Sequence, residues 1–120
     1  MSDSPGLTTI FVDRKATKKR LRKAKLAIIE GPDRGKELVM DRERVTIGRS
    51  VICDLVLADK AVSGTHCEFI ADEKGFLLKD LGSTNGTKVG DLKVREVWIR
   101  KGTVVTVGQT KIRFESLQEE

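Results

Sequence analysis

Three short stretches hold the side chains of this sequence that are equipped for chemistry: GR at 48–49, SGTH at 63–66 and DLGSTNGTKVG at 80–90. Ser63 and His66 pose the first question, because a serine beside a histidine is the nucleophile–base pair of acyl transfer. This is the only histidine in the chain, and no Gly-x-Ser-x-Gly elbow surrounds Ser63. A lone histidine at the start of a strand reads as a structural hydrogen-bonder. GPDRGKE at 31–37 has a faint likeness to a phosphate-binding loop. However, three residues rather than four separate its glycines, no Ser or Thr follows Lys36, and no helical period comes after it. A tight hairpin turn accounts for it better. Cys53 and Cys67 match no metal-ligand spacing and read as reduced thiols. No catalytic set emerges, no metal site and no cofactor site, so the expectation is a protein that is not an enzyme.

What remains is a set of polar groups suited to binding. Arg49 brings a permanent positive charge, Ser63, Ser83, Thr84 and Thr87 bring hydroxyls, and Asn85 brings a carboxamide. The Asn85–Gly86 pair between strand-like residues is a strong hairpin signal, since both residues tolerate positive φ cheaply. A turn alone needs none of the neighbouring hydroxyls. The stretch at 80–90 therefore reads as a turn whose side chains also face a ligand, provided that other loops bring a cation to the same place.

The elements that must position these groups are strands. From residue 26 onward, short apolar or alternating runs are broken by turn signals at close intervals: 26–30, 36–40, 45–48, 55–57, 67–70, 76–81, 87–89, 94–99, 103–107 and 110–115. Along 110–115 the alternation is clean and puts Ile112 and Phe114 on one face. No window of 12 or more residues after position 25 keeps a helical period. About ten short strands in one domain's length imply an all-β sandwich, in which functional residues collect on loops at one end. With one Trp, four Phe and no Tyr, its core must be mainly aliphatic.

The ordered trio of motifs, VTIGRSVICDLVLADKAVSGTHCEFI followed by KDLGSTNGTKVG, resembles the forkhead-associated (FHA) family. The strongest match covers 45–89, and the strand pattern extends it from about residue 26 to 114. This resemblance implies an eleven-stranded β-sandwich that binds phosphothreonine in a partner protein downstream of a Ser/Thr kinase. It assigns peptide binding to Arg49, Ser63, Thr84 and Asn85, and support of the loops to Gly48, His66 and Gly86. The chemistry suits those roles. A guanidinium fork matches phosphate oxygens, a serine hydroxyl can donate to them, and a carboxamide can clamp an extended main chain. Phosphothreonine carries about −1.5 to −2 charges near neutral pH, which rewards such donors far more than Thr, Asp or Glu would. FHA proteins commonly carry a polar or basic residue where this chain has Gly64, and often a basic one at Thr65.

Charge divides the chain. Residues 1–25 contain eight basic and two acidic residues, whereas 26–120 contain 15 basic and 16 acidic ones. The net charge of +5 thus belongs to a basic, flexible tail at 1–25, followed by the FHA domain at 26–117 and an acidic end at 118–120. A nearly neutral domain argues against direct nucleic-acid binding by the sandwich. The alternative is a nucleic-acid or anionic-surface binder that works through the tail, with the sandwich as carrier. The tail also holds Thr8 and Thr9, candidate phosphoacceptors that the pocket would capture intramolecularly. A further arrangement is the front module of a bacterial transcriptional activator. No apolar run is long enough for a membrane span or a secretory signal, which points to the cytoplasm.

Overall fold

The computed structural model describes residues 23–117, and among them there is no helix. The eleven strands are β1 (Ala24–Glu30), β2 (Glu37–Met40), β3 (Arg44–Gly48), β4 (Leu55–Val56), β5 (Cys67–Asp72), β6 (Gly75–Asp80), β7 (Thr87–Val89), β8 (Leu92–Val94), β9 (Glu96–Ile99), β10 (Val104–Val107) and β11 (Thr110–Ser116). They form two sheets, ordered β2-β1-β11-β10-β7-β8 and β4-β3-β5-β6-β9. Pairing is antiparallel except between β3 and β4, where Ile47 faces Leu55 and Gly48 faces Val56 in parallel register. The all-β sandwich expected from the strand pattern is the fold observed.

Alternation explains how the sheets close on each other. Along β11 Thr110, Ile112 and Phe114 are buried, and along β10 Val105 and Val107 are buried. In the facing sheet, Val45 and Ile47 on β3, Phe69 and Ala71 on β5, and Phe76 and Leu78 on β6 point inward. Period-two burial on both sheets makes one shared core. Three phenylalanines cross it: Phe69 stacks on Phe114 at 6.0 Å between centroids, and Phe76 meets Phe114 edge-on at 4.8 Å. Phe114 joins the two sheets through both contacts. Phe114→Ala is expected to cost about 3–5 kcal/mol, read as a lowered denaturant midpoint.

Several strand ends differ by a residue or two from the sequence reading, and β1 begins at Ala24, inside the stretch expected to be tail; one difference changes the element count. The run at 94–99 is two elements, because the chain leaves one sheet at Arg95 and enters the other. Val94 ends β8, which pairs with β7, whereas Glu96 begins β9, which pairs with β6. The Arg95 carbonyl accepts from Asp80 N–H at 2.8 Å, anchoring the crossing beside the end of β6. Local periodicity continues smoothly through such a switch, so nothing in the residue pattern marks it.

Candidate functional site

Three loops meet at one end of the sandwich: 49–54 after β3, 57–66 before β5, and 81–86 between β6 and β7. The first two are joined through their backbones, with Arg49 N–H donating to Ser63 C=O and Ser50 N–H to Gly64 C=O, both at 3.0 Å. That approach is possible because residue 48 has no side chain. A Cβ on Gly48 would stand 2.1 Å from the Gly64 carbonyl oxygen and 2.9 Å from Cys53 Sγ. Arg49 itself is exposed, and its Nε donates to Val62 C=O at 3.0 Å. This bond fixes the guanidinium plane. Among the described residues, no carboxylate pairs with Arg49, so its terminal nitrogens remain available.

His66 ties the second loop to the third. Its Nδ1 accepts from Ser63 N–H at 3.0 Å, which requires the neutral ring with the proton on Nε2. Nε2–H then donates to Gly86 C=O at 2.9 Å. The ring is completely buried, so both bonds lie out of reach of water. Ser63 Oγ accepts from Thr84 N–H at 2.9 Å, leaving its own hydroxyl proton to donate outward. Asn85 Nδ2 donates to Ala61 C=O at 2.8 Å, which leaves the second amide proton and Oδ1 facing the rim. Gly86 has φ +89, and a Cβ there would meet Lys93 Cε at 2.6 Å. The positive φ is what calls for glycine here, since the exposed Lys93 side chain could move aside. Arg49, Ser63, Thr84 and Asn85 thus converge on one rim, with Gly48, His66 and Gly86 beneath it. Thr8 and Thr9 lie outside the described residues.

Two carboxylates that the sequence reading did not single out organise these loops. Asp80 Oδ1 accepts from the hydroxyls of Ser83 (2.6 Å) and Thr87 (2.7 Å), and Oδ2 accepts from the N–H groups of Gly82 and Ser83 (both 3.0 Å). Ser83 Oγ in turn accepts from Gly86 N–H at 2.9 Å. The hydroxyls in the 80–90 stretch are thus divided: Ser83 and Thr87 build the turn, and Thr84 is left to the rim. Asp59 does the same for the second loop, accepting from Ala61 N–H (2.9 Å), Gln109 N–H (2.7 Å) and Thr110 Oγ1 (2.8 Å). Asp80 had a sequence signal, an Asx turn into Gly82 and Ser83. Asp59 makes the same kind of local turn with Ala61, but its partners Gln109 and Thr110 lie 50 and 51 residues away, where no local signal reaches.

These bonds set the response to acid. Burial alone would push both carboxyls up. For Asp80, the hydroxyls of Ser83 and Thr87 and the N–H groups of Ser83 and Gly82 outweigh it; for Asp59, Ala61 N–H, Thr110 Oγ1 and Gln109 N–H do so. Both are held below the ordinary carboxylate value of about 3.9. A carboxyl lowered by folding contributes stability that is complete above its unfolded value and is lost as pH falls through the folded one. The gap in melting temperature between the wild type and Asp80→Asn is therefore expected to be widest near neutral pH. It should narrow between about pH 5 and pH 2, measured by thermal melts across that range. Cys53 and Cys67 are free and buried, and burial pushes both thiols up, so neither is poised as a thiolate.

Comparison with known proteins fits this geometry. A family model described as "Inner membrane component of T3SS, cytoplasmic domain" matches residues 27–118. The oxoglutarate dehydrogenase inhibitor of Corynebacterium diphtheriae is 33% identical over 89 residues, which cover 74% of this chain and 62% of that protein. The glycogen accumulation regulator GarA of Mycobacterium tuberculosis is 32% identical over 91 residues, covering 76% of this chain and 56% of that one. The chain thus spans less than two thirds of the length of these curated relatives. A structure solved in an analysis of phosphothreonine-dependent FHA domain interactions superposes with a TM-score of 0.73 at 29% identity, covering 81% of this chain and 99% of that one. With its two-sheet topology, its three joined loops and these relatives, the chain belongs to the forkhead-associated family.

Proposed function

We propose that the rim of Arg49, Ser63, Thr84 and Asn85 binds phosphothreonine in a partner protein, making the chain a regulatory module without catalytic activity that reads a Ser/Thr kinase. One observation carries this reading. The free guanidinium nitrogens of Arg49, the outward hydroxyl proton of Ser63 and the unused half of the Asn85 carboxamide share one end of the sandwich, held there by hydrogen bonds between the loops and by the buried His66 ring. Charge-assisted hydrogen bonds of roughly 1.5–3 kcal/mol each, offset by docking entropy, give an affinity of order micromolar. The relatives' names, an enzyme inhibitor and a metabolic regulator, favour control of metabolic enzymes over the front module of a transcriptional activator.

The occupant is either a phosphorylated partner or the chain's own tail, phosphorylated at Thr8 or Thr9. Mass spectrometry after kinase treatment tests the second source, which fails if neither threonine is modified. A competing reading rests on the eight basic residues at 1–25, which suit nucleic acid or an anionic surface. A pull-down with a phosphothreonine peptide library separates the two. Phosphopeptide capture survives deletion of 1–22, which leaves β1 whole, and fails in Arg49→Ala. Polyelectrolyte binding would drop sharply with that deletion, which removes six of the eight basic residues, and would fall steeply with salt. Equal capture by the wild type and Arg49→Ala would refute the pocket.

A further inference from the structure

Two residues after Arg49, the chain makes a tight turn, with Cys53 N–H donating to Ser50 C=O at 3.0 Å. Val51 and Ile52 occupy its two corners and are 86% and 80% exposed. Nothing in the fold accounts for them. They pack against no core, and the corner positions of such a turn ordinarily take Pro, Asn, Asp or Gly rather than β-branched aliphatics. Their turn is nevertheless fastened on every side. Ser50 N–H bonds Gly64 C=O at 3.0 Å, Ile52 N–H bonds Ser50 Oγ at 3.2 Å, and Cys53 Sγ–H bonds Gly64 C=O at 3.2 Å. The following Asp54 accepts from Thr46 N–H at 2.9 Å. A floppy loop would let two aliphatics fold back and shed water. This one keeps them exposed in the same loop as Arg49, at the end of the sandwich that carries the rim.

We propose that Val51 and Ile52 form an apolar ledge that selects an aliphatic or aromatic side chain flanking the phosphothreonine. The inference rests on the phosphothreonine reading of the rim and adds a preference to it. Local propensity and burial both oppose these residues, and such conflicts concentrate where a surface is kept for a ligand. Arg49 supplies affinity for the phosphate, and the ledge decides whose phosphate. Thr46 and Thr106 also have aliphatic neighbours but are built into β3 and β10; beyond these, LTTIFV at 7–12 sets Thr8 and Thr9 among Leu7, Ile10, Phe11 and Val12.

The test uses two phosphothreonine peptides, one with Ile and Phe flanking the phosphothreonine and one with Ser at those positions. Each is titrated by fluorescence anisotropy into the full chain, into the Val51→Ser/Ile52→Ser double variant and into Arg49→Ala. The wild type is expected to prefer the apolar peptide about tenfold, from burial of part of each aliphatic side chain. The double variant should bind both peptides as the wild type binds the serine-flanked one, with its melting temperature unchanged because both positions face solvent. Arg49→Ala should bind neither. Equal affinities in the wild type, or a preference that survives in the double variant, would overturn the ledge while leaving the pocket standing. Failure of the wild type to bind either peptide would refute the pocket and the ledge together. If sedimentation shows that the double variant loses a dimer while the peptide preference stays, the ledge contacts a second copy and this assignment is wrong.

Discussion

Arg49→Ala is expected to weaken capture of phosphothreonine peptides more than about 100-fold, with the melting temperature lowered by only several degrees. The magnitude follows from bonds between a guanidinium fork and a doubly charged ester, worth about 3 kcal/mol together, and 1.4 kcal/mol is a factor of ten. The small stability cost follows from exposure. The folded protein loses only the bond from Nε to Val62 C=O, worth about 1 kcal/mol. Arg49→Lys separates charge from shape, because it keeps the charge but has no planar fork. Its affinity should lie between the two. Isothermal titration with one phosphopeptide, beside thermal melts of all three proteins, checks both halves of the expectation. A variant that loses binding because it unfolds would not support it.

Gly48→Ala is expected to act in the opposite order, through the fold first and the site as a result. The added methyl would stand 2.1 Å from the Gly64 carbonyl oxygen and 2.8 Å from its carbon. Backbone cannot yield by a side-chain rotation, so the two loops must separate. Their separation would break the Arg49–Ser63 and Ser50–Gly64 backbone bonds and shift the Leu57 N–H, which donates to Gly48 C=O at 2.8 Å. A destabilisation of about 2–4 kcal/mol is expected, together with loss of peptide binding at temperatures where the variant still folds. Gly64→Ala is the internal control. A Cβ there meets nothing within 4 Å, and the backbone needs no positive φ, so this variant should be close to neutral. Chemical denaturation of the two alanine variants reads the contrast directly. Comparable losses at both positions would mean that the close approach at Gly48 is not what holds the rim.

What the sequence disclosed follows from what is local. Alternation along β11, the Asn85–Gly86 turn and the order of the three loop motifs are each written in adjacent residues, and each has its counterpart in the fold. What it concealed is set by distance or by topology. The crossing at Arg95 moves the chain between sheets without altering its pattern. Asp59 acts on Gln109 and Thr110, 50 and 51 residues away, a pairing that no local pattern marks. The role of His66 was legible only as a type, a structural hydrogen-bonder. That it joins Ser63 to Gly86 required the two loops to be seen meeting. Val51 and Ile52 are apolar by type, and their exposure depends on how the turn that carries them is fastened.

On the proposed reading, Arg49, Ser63, Thr84 and Asn85 grip a phosphothreonine as one unit. Backbone amide NMR during titration with a phosphothreonine peptide tests it most directly, with the same peptide bearing unmodified threonine alongside. Large shifts are expected at 48–54, 61–66 and 82–87 with the phosphopeptide, little response to the unmodified one, and no change along β1, β2 or β11. Shifts centred on the β2-β1-β11 face, or an equal response to both peptides, would mean that this rim does not hold the phosphate.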